Sequence, residues 1–307
     1  MLKYLPEGKL INTKENIHAL KTIDSIRDAY KSSTILEGRV VLCDNDHNLH
    51  VDLGCISGII PRDEGAIGIS DGTTRDIALI SKVNKPVCFV ITDFAFDEYG
   101  DIYAVLSRKK VQEDCIENYI SKLQPGDVID AKVCHMEPFG VFADVGAGIN
   151  ALLPIDSISV SRIPHPNVRF YSNQEIKAIV KNRDELGRLI LTHKELLGTW
   201  EENANKFSIG ETVPGIVRST EKYGIFIELA PNLAGLAELC ENVSPGQNTA
   251  VYIKSIIPER MKIKLIIVDC FDAAYPPEKL NYFTEEKHIS YWRYSPESSS
   301  KIIESYF

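Results

Sequence analysis

The chain lacks any apolar run near the roughly 18–20 residues that span a bilayer, and its start, MLKYLPEGKL, has no signal-peptide core. Membrane partners are therefore not expected. Its seven cysteines are scattered at 43, 55, 88, 115, 134, 240 and 270, with no Cys-x-x-Cys pair. That excludes a zinc ribbon or a disulfide framework and fits reduced thiols in a cytoplasmic protein. The sequence also has no phosphate-binding glycine loop, no His-Glu-x-x-His and no nucleophile elbow. No enzyme and no cofactor are implied. Positive charge is in deficit as well, 34 Lys and Arg against 43 Asp and Glu for a net −9, which weighs against a broad electrostatic grip on nucleic acid.

What the chain does have is an internal repeat. Residues 126–145, GDVIDAKVCHMEPFGVFADV, align without a gap to residues 210–229, GETVPGIVRSTEKYGIFIEL. The match pairs Gly126 with Gly210, Val133 with Val217, Phe139 with Tyr223, Gly140 with Gly224, Phe142 with Phe226 and Asp144 with Glu228. Downstream, ALLP (151–154) falls opposite GLAE (235–238), and each copy closes with two further strand-like segments. Alternating apolar and polar residues, broken by turn residues every ten or so positions, predict five short strands per copy. The fold class is mainly β: tandem five-stranded OB-fold barrels joined by short helices. Closing the sheet removes the exposed edges that an open one would carry.

The combination G-x-x-V-x-G-x-V, F-G-x-F, a Gly-Leu turn and D-x-x-x-R-I-x-L-S resembles the S-one RNA-binding domain, named for the largest protein of the bacterial small ribosomal subunit. Copy 126–194 carries GDVIDAKV, FGVF and DELGRLILT; copy 210–268 carries GETVPGIV, YGIF and RMKIKLI. A fainter copy spans 36–110, where GRVVLCDNDHNLHVDLGCISGIIPRDE is similar to the amino-terminal repeats of that protein. The division expected is a helical arm (1–35), a degenerate repeat (36–110), a helical linker (111–125), a repeat (126–194), a second helical linker (195–209), a repeat (210–268) and a tail (269–307). In the arm, Asn12 with Glu15 three residues on reads as the start of a single amphipathic helix.

The resemblance implies a non-enzymatic protein of translation that holds single-stranded messenger RNA. The arm and first repeat would dock on the small ribosomal subunit or another protein. The expected RNA-binding residues are Phe139, Phe142 and Arg188 in the second repeat, and Tyr223, Phe226, Lys222 and Lys262 in the third. The aromatic pairs would share a face because Gly140 and Gly224 let the strand bend or bulge, and their flat rings would lie side by side for bases to stack on. Arg218 adds charge beside the third platform. A lone F-G-x-F is more simply barrel core; two in register favour the surface. The family often has a His after the Gly-Leu turn, where Pro61, Pro154 and Glu238 stand here.

Both well-formed repeats are electrically neutral, eight charges of each sign in 126–194 and six of each in 210–268, so RNA binding should rest on stacking. The loop SRIPHPNVRFYS (161–172) gathers Arg162, His165, Arg169, Phe170 and Tyr171; it supplements the RNA face or is a structural loop fixed by Pro164 and Pro166. The stretch LCDNDHNLHVDLG (42–54) offers Cys43, Asp44, Asp46, His47, His50 and Asp52 as metal ligands. Read in register, it is a hairpin whose turn is drawn by Asp and Asn, with Asn48 at the position of Gly140 and taking positive φ. His47 and His50 then stand near where the other repeats place rings, and no metal site is expected. A protein-binding scaffold is the alternative function; a metal-dependent nuclease built on 42–54 is a third.

Overall fold

In each repeat, strands alternate side chains between a buried and an open face, and the buried sets close three separate barrels. A computed structural model describes residues 4–273 and 280–307. Before the first barrel, the arm forms two helices, α1 (Lys14–Ala19) and α2 (Ile23–Lys31), instead of the single one expected. Thr13, not Asn12, caps α1, its hydroxyl accepting from Asn16 N; Thr22 and Ser25 form a reciprocal capping box on α2.

The first barrel comprises β1 (Leu36–Cys43), β2 (Leu49–Asp52), β3 (Ser57–Ile60), β4 (Pro86–Phe96) and β5 (Ile102–Ser107), in the closed order β1-β2-β3-β5-β4. The short helix α3 (Ile77–Ile80) lies between β3 and β4. Leu36, Val40, Leu49, Val51, Ile60, Phe89 and Leu106 fill its core together with Ile26 of α2. After it, α4 (Lys109–Asn118) begins two residues ahead of the expected linker.

The second barrel comprises β6 (Val128–Glu137), β7 (Gly140–Asp144), β8 (Asn150–Pro154), β9 (Glu175–Arg183) and β10 (Leu189–Thr192). The helix α5 (Trp200–Ala204), capped by Thr199, leads to the third: β11 (Thr212–Glu221), β12 (Gly224–Ala230), β13 (Leu233–Ala237), β14 (Asn248–Ile257) and β15 (Lys262–Phe271). Both close with the connectivity of the first, including one parallel pairing between the third and fifth strands. The last strand runs to Phe271, three residues past the expected boundary. The tail adds a small ribbon, β16 (Tyr291–Arg293) with β17 (Glu304–Tyr306). Trp292 of β16 and Tyr294 just after it are buried. The chain forms two units, residues 1–123 with 144–150, and residues 124–143 with 151–307. Among the described residues no helix is long and apolar enough to cross a membrane.

Within the first unit a buried ionic cluster fixes the segment ahead of α1. Glu7 accepts from Arg108 Nε at 2.6 Å and Nη2 at 3.1 Å, and from Lys82 Nζ at 2.7 Å. Asp144 accepts from the backbone N–H of Glu7, Gly146 and Gly148 at 2.7–3.1 Å. Glu37 accepts from the backbone of Gly8, Leu10 and Ile11. Burial outweighs those hydrogen bonds and pushes Glu37 up to about 7 and Asp144 up to about 6, both with help from the Glu7 charge. Glu7 goes the other way: burial works against its charge, but Arg108 and Lys82 win and hold it well below the usual range.

Candidate nucleic-acid interface

In both later barrels the first two strands are joined by a two-residue turn, Pro138–Phe139 between β6 and β7 and Lys222–Tyr223 between β11 and β12. The leading ring of each pair therefore comes off the turn, not off the strand. The register shift between the first two strands of the third barrel sits on β11, between Val217 and Ser219, and not at Gly224, whose φ is 148°. A Cβ on Gly140 would stand 2.5 Å from Leu153 O, and one on Gly224 2.6 Å from Ala237 O. Each glycine lets the end of the third strand pass against the turn.

Phe139 is 55% exposed and Tyr223 69%, while Phe142 and Phe226 are half-buried. The two pairs superpose in kind: centroids 6.0 Å apart with planes at 87° in one, 6.0 Å and 90° in the other. The rings are thus edge-to-face and not laid side by side as expected, which is the electrostatically favoured arrangement of two aromatic quadrupoles. A pair at right angles offers a corner, with one broad face for one base.

The basic residues are less uniform. Lys222 is exposed in the turn next to Tyr223, and Lys262 is half-buried at the start of β15. Arg188 is exposed, but its Nε lies 2.7 Å from Asp184 Oδ2 in the β9–β10 turn, so its charge is partly answered already. Arg218 is not beside the platform as a free cation: it is half-buried and donates to Glu228 through Nε at 2.8 Å and Nη2 at 2.9 Å. One residue escaped the sequence reading. Lys264 is exposed on β15 and pairs with Leu236 of β13, which pairs with Phe226, so ring, leucine and lysine line up across three adjacent strands. The signal was the alternation itself, since Ile263 and Leu265 are buried and Lys264 must face out with Lys262.

The loop 161–172 does not join this face as a whole. Arg169 and Phe170 are buried, Phe170 edge-on to His193 at 5.2 Å and Arg169 on Glu228. Tyr171 stays exposed.

In the first barrel, Leu42 opposes His50 as Ser219 opposes Phe226, so His50 stands at the second ring position. Its Nε2 lies 3.1 Å from Asp44 Oδ2. Asp44 also accepts from the backbone N–H of Asp46 and Asn48, the turn-forming arrangement expected. Burial opposes its charge, yet these bonds from His50 and Asn48 hold its carboxyl below the ordinary value. The positive φ falls on His47, at 64°, and not on Asn48. Val41 and Leu42 beside it are exposed. Among the described residues no three His, Cys, Asp or Glu side chains gather to hold a metal ion.

Closed five-stranded barrels in tandem, two bearing the same ring pair at the same turn, define a protein of repeated OB-fold domains. Residues 122–194 match the family model of the S1 RNA binding domain, the S-one domain. The chain is 31% identical over 182 residues to the small ribosomal subunit protein bS1 of Staphylococcus aureus (strain COL), an alignment covering 53% of this chain and 46% of that protein. Against bS1 of Rickettsia conorii it is 27% identical over 238 residues, covering 72% of this chain and 40% of the relative. It spans less than half the length of these curated relatives. A solved multidomain protein with nucleic acid binding domains from Streptococcus pneumoniae shares 12% identity over 77% of this chain and 74% of that one, at a TM-score of 0.25. The domain match and these relatives support an S1-like family for the chain's OB-fold repeats.

Proposed function

We propose that this chain is a non-enzymatic, cytoplasmic protein of translation that binds single-stranded RNA, and that the RNA it holds is messenger RNA. The observation that carries this reading is the duplicated corner of rings, Phe139 with Phe142 and Tyr223 with Phe226, more exposed than a core pair needs to be. Lys222, Lys262 and Arg188 meet phosphates beside them, with Lys264 as a further candidate. The first barrel, which has His47 and His50 in place of a Phe or Tyr pair at its first turn and exposes Val41 and Leu42, together with α1 and α2, docks on the small ribosomal subunit or another protein.

Two measurements test this. Fluorescence anisotropy should show binding to labelled single-stranded RNA and not to a duplex of the same length. With about three basic contacts, the slope of log affinity against log salt should be shallow, about −2. Co-sedimentation with ribosomes should be lost in Val41→Asp with Leu42→Asp while RNA binding stays. A second reading, a scaffold whose barrels bind proteins alone, draws on the ion pairs that occupy Arg188 and Arg218. Ribosome association without any affinity for free RNA would favour it.

A further inference from the structure

The second and third barrels are joined by contacts in which the ring pairs take no part. From the second barrel, the loop 161–172 sends Arg169 into the third, where its Nη2 donates to Glu228 Oε2 at 2.5 Å. Glu228 lies two residues beyond Phe226 on β12, on the same side of the strand, because Ile227 between them faces the core, as Ile225 does before them. The β12–β13 turn is tied as well: Asn232 Oδ1 accepts from Val160 N at 2.9 Å, and its Nδ2 donates to Lys194 O and Gly198 O at 2.7 and 2.9 Å.

The tail supplies a second, independent set. On the second barrel, Lys287 O accepts from Val128 N and Ile289 N donates to Gly126 O, both at 2.9 Å. His288 Nδ1 lies 2.8 Å from Asp127 Oδ1, and Tyr282 Oη accepts from Lys177 N at 2.9 Å. Five residues on, the same segment reaches the third barrel and the linker. Tyr294 Oη donates to Asn232 O at 2.5 Å, and Tyr294 O accepts from Trp200 N at 3.0 Å. Trp292 and Tyr294 are buried in one apolar cluster with Ile179 of the second barrel, Trp200 of α5 and Val217 and Leu233 of the third.

We infer that residues 280–307, with Arg169, form a clamp that fixes the second and third barrels in one orientation, so that a single RNA strand meets both ring pairs as one prearranged site. The inference rests on the RNA-binding reading above. Trp292, Tyr294 and Arg169 are then positioning residues: they touch no base, and act by removing the ordering cost that two freely linked barrels bear when one strand engages both.

Two sets of substitutions strike the clamp from opposite sides. Trp292→Ala with Tyr294→Ala empties the tail's apolar contact, whereas Arg169→Met acts from the other barrel and leaves Glu228 paired with Arg218. Orientation is read by single-pair energy transfer between dyes on Cys134 and Cys240, exposed on the second barrel and just after β13 of the third, in a chain with Cys43, Cys55 and Cys270 changed to serine. The intact clamp gives one narrow distance distribution, and both variants broaden it. RNA binding is read with labelled oligouridine of about 5 nucleotides, enough for one barrel, and about 30, enough for both. Both variants should lose about tenfold in affinity for the long strand and stay within about twofold for the short one. Trp292→Phe with Tyr294→Phe, which keeps the apolar filling, should restore most of the long-strand affinity. A distribution that stays narrow in the variants, or an equal loss for long and short strands, overturns the clamp. A parent chain that binds neither strand overturns the RNA reading instead, and the width of the distance distribution then decides whether the barrels are held.

Discussion

Replacing Phe139 and Tyr223 together by alanine separates the surface role of these rings from any role in the core. Each is more than half exposed, so the fold loses chiefly an edge-to-face contact with Phe142 or Phe226. Such a contact is worth about 0.5–1.5 kcal/mol, against a stability of about 5–15 kcal/mol for a domain. Both barrels should therefore stay folded. RNA loses more. A stacked base is worth about 1–3 kcal/mol, and the right-angle geometry gives each pair one broad face, so two bases are released from their stacks. The sum, about 2–6 kcal/mol, is a loss of about thirty-fold to about 10⁴-fold in affinity. Anisotropy with a labelled single strand measures it, and a melting curve confirms that the variant is folded. Phe139→Tyr with Tyr223→Phe keeps both π-faces and should bind within about twofold of the parent. Leu186→Ala removes a side chain as exposed as these rings but set in the β9–β10 turn, and should change nothing. A folded double-alanine variant with undiminished affinity would refute stacking as the mode of binding.

The two units should respond to pH in opposite directions. Glu37 and Asp144 sit above their ordinary values of 4.5 and 3.8, so their contribution is present at low pH and is lost as pH rises through about 6 to 7; Glu7, held down by Arg108 and Lys82, gives way only in acid. In the second unit, burial lowers His193 from 6.5 to about 4, so its contribution is full above 6.5 and lost as pH falls towards 4. Both tryptophans, Trp200 and Trp292, lie in the second unit, so a tryptophan-fluorescence melt should fall between pH 7.5 and 5 in the parent and flatten in His193→Gln. Glu7→Ala would leave Arg108 buried with only Gly65 O as acceptor and should cost about 3–5 kcal/mol in urea unfolding, much of it recovered by adding Arg108→Met. Gly140→Ala or Gly224→Ala drives a methyl into strand backbone; each should cost about 1–3 kcal/mol in melting and displace the adjoining ring, lowering RNA affinity as well.

The barrels were legible because their determinants are local and repeated. Alternation within each strand and a gapless match between 126–145 and 210–229 require no knowledge of distant contacts. The paired rings were legible for the same reason, though not their angle, which follows from Phe139 and Tyr223 standing in turns. What escaped depends on partners far along the chain. Arg169 and Phe170 read as a basic, aromatic surface loop, yet Glu228, 59 residues on, draws Arg169 inside. The tail has strands of only three residues, and its ties, such as His288 to Asp127 across 161 residues, leave no periodic trace. At α1, Asn12 and Thr13 are both good caps, and Thr13 is fixed by its own hydrogen bond back to Leu10 O. In the 42–54 hairpin, Asp44 reaches both Asp46 N and Asn48 N, which leaves His47 to take the left-handed conformation that asparagine would accept more readily.

The acidic residue near the end of each second strand, Asp52, Asp144 or Glu228, has the same place in the repeat and a different occupation. Asp52 is exposed and accepts from Gly54 N, Asp144 receives the backbone of Glu7, and Glu228 receives two guanidinium groups. Barrels of one topology are therefore not interchangeable cassettes. A shuffled chain with the third barrel in second place would bring a longer carboxylate to the Glu7 backbone, with Arg218 still attached to it. The former second barrel, now last, would carry Arg169 with no following barrel to supply its Glu228 acceptor. At this one position, then, each barrel carries a side chain suited to its own neighbours, and a chimera that respects every strand boundary would still have to exchange Asp144 and Glu228.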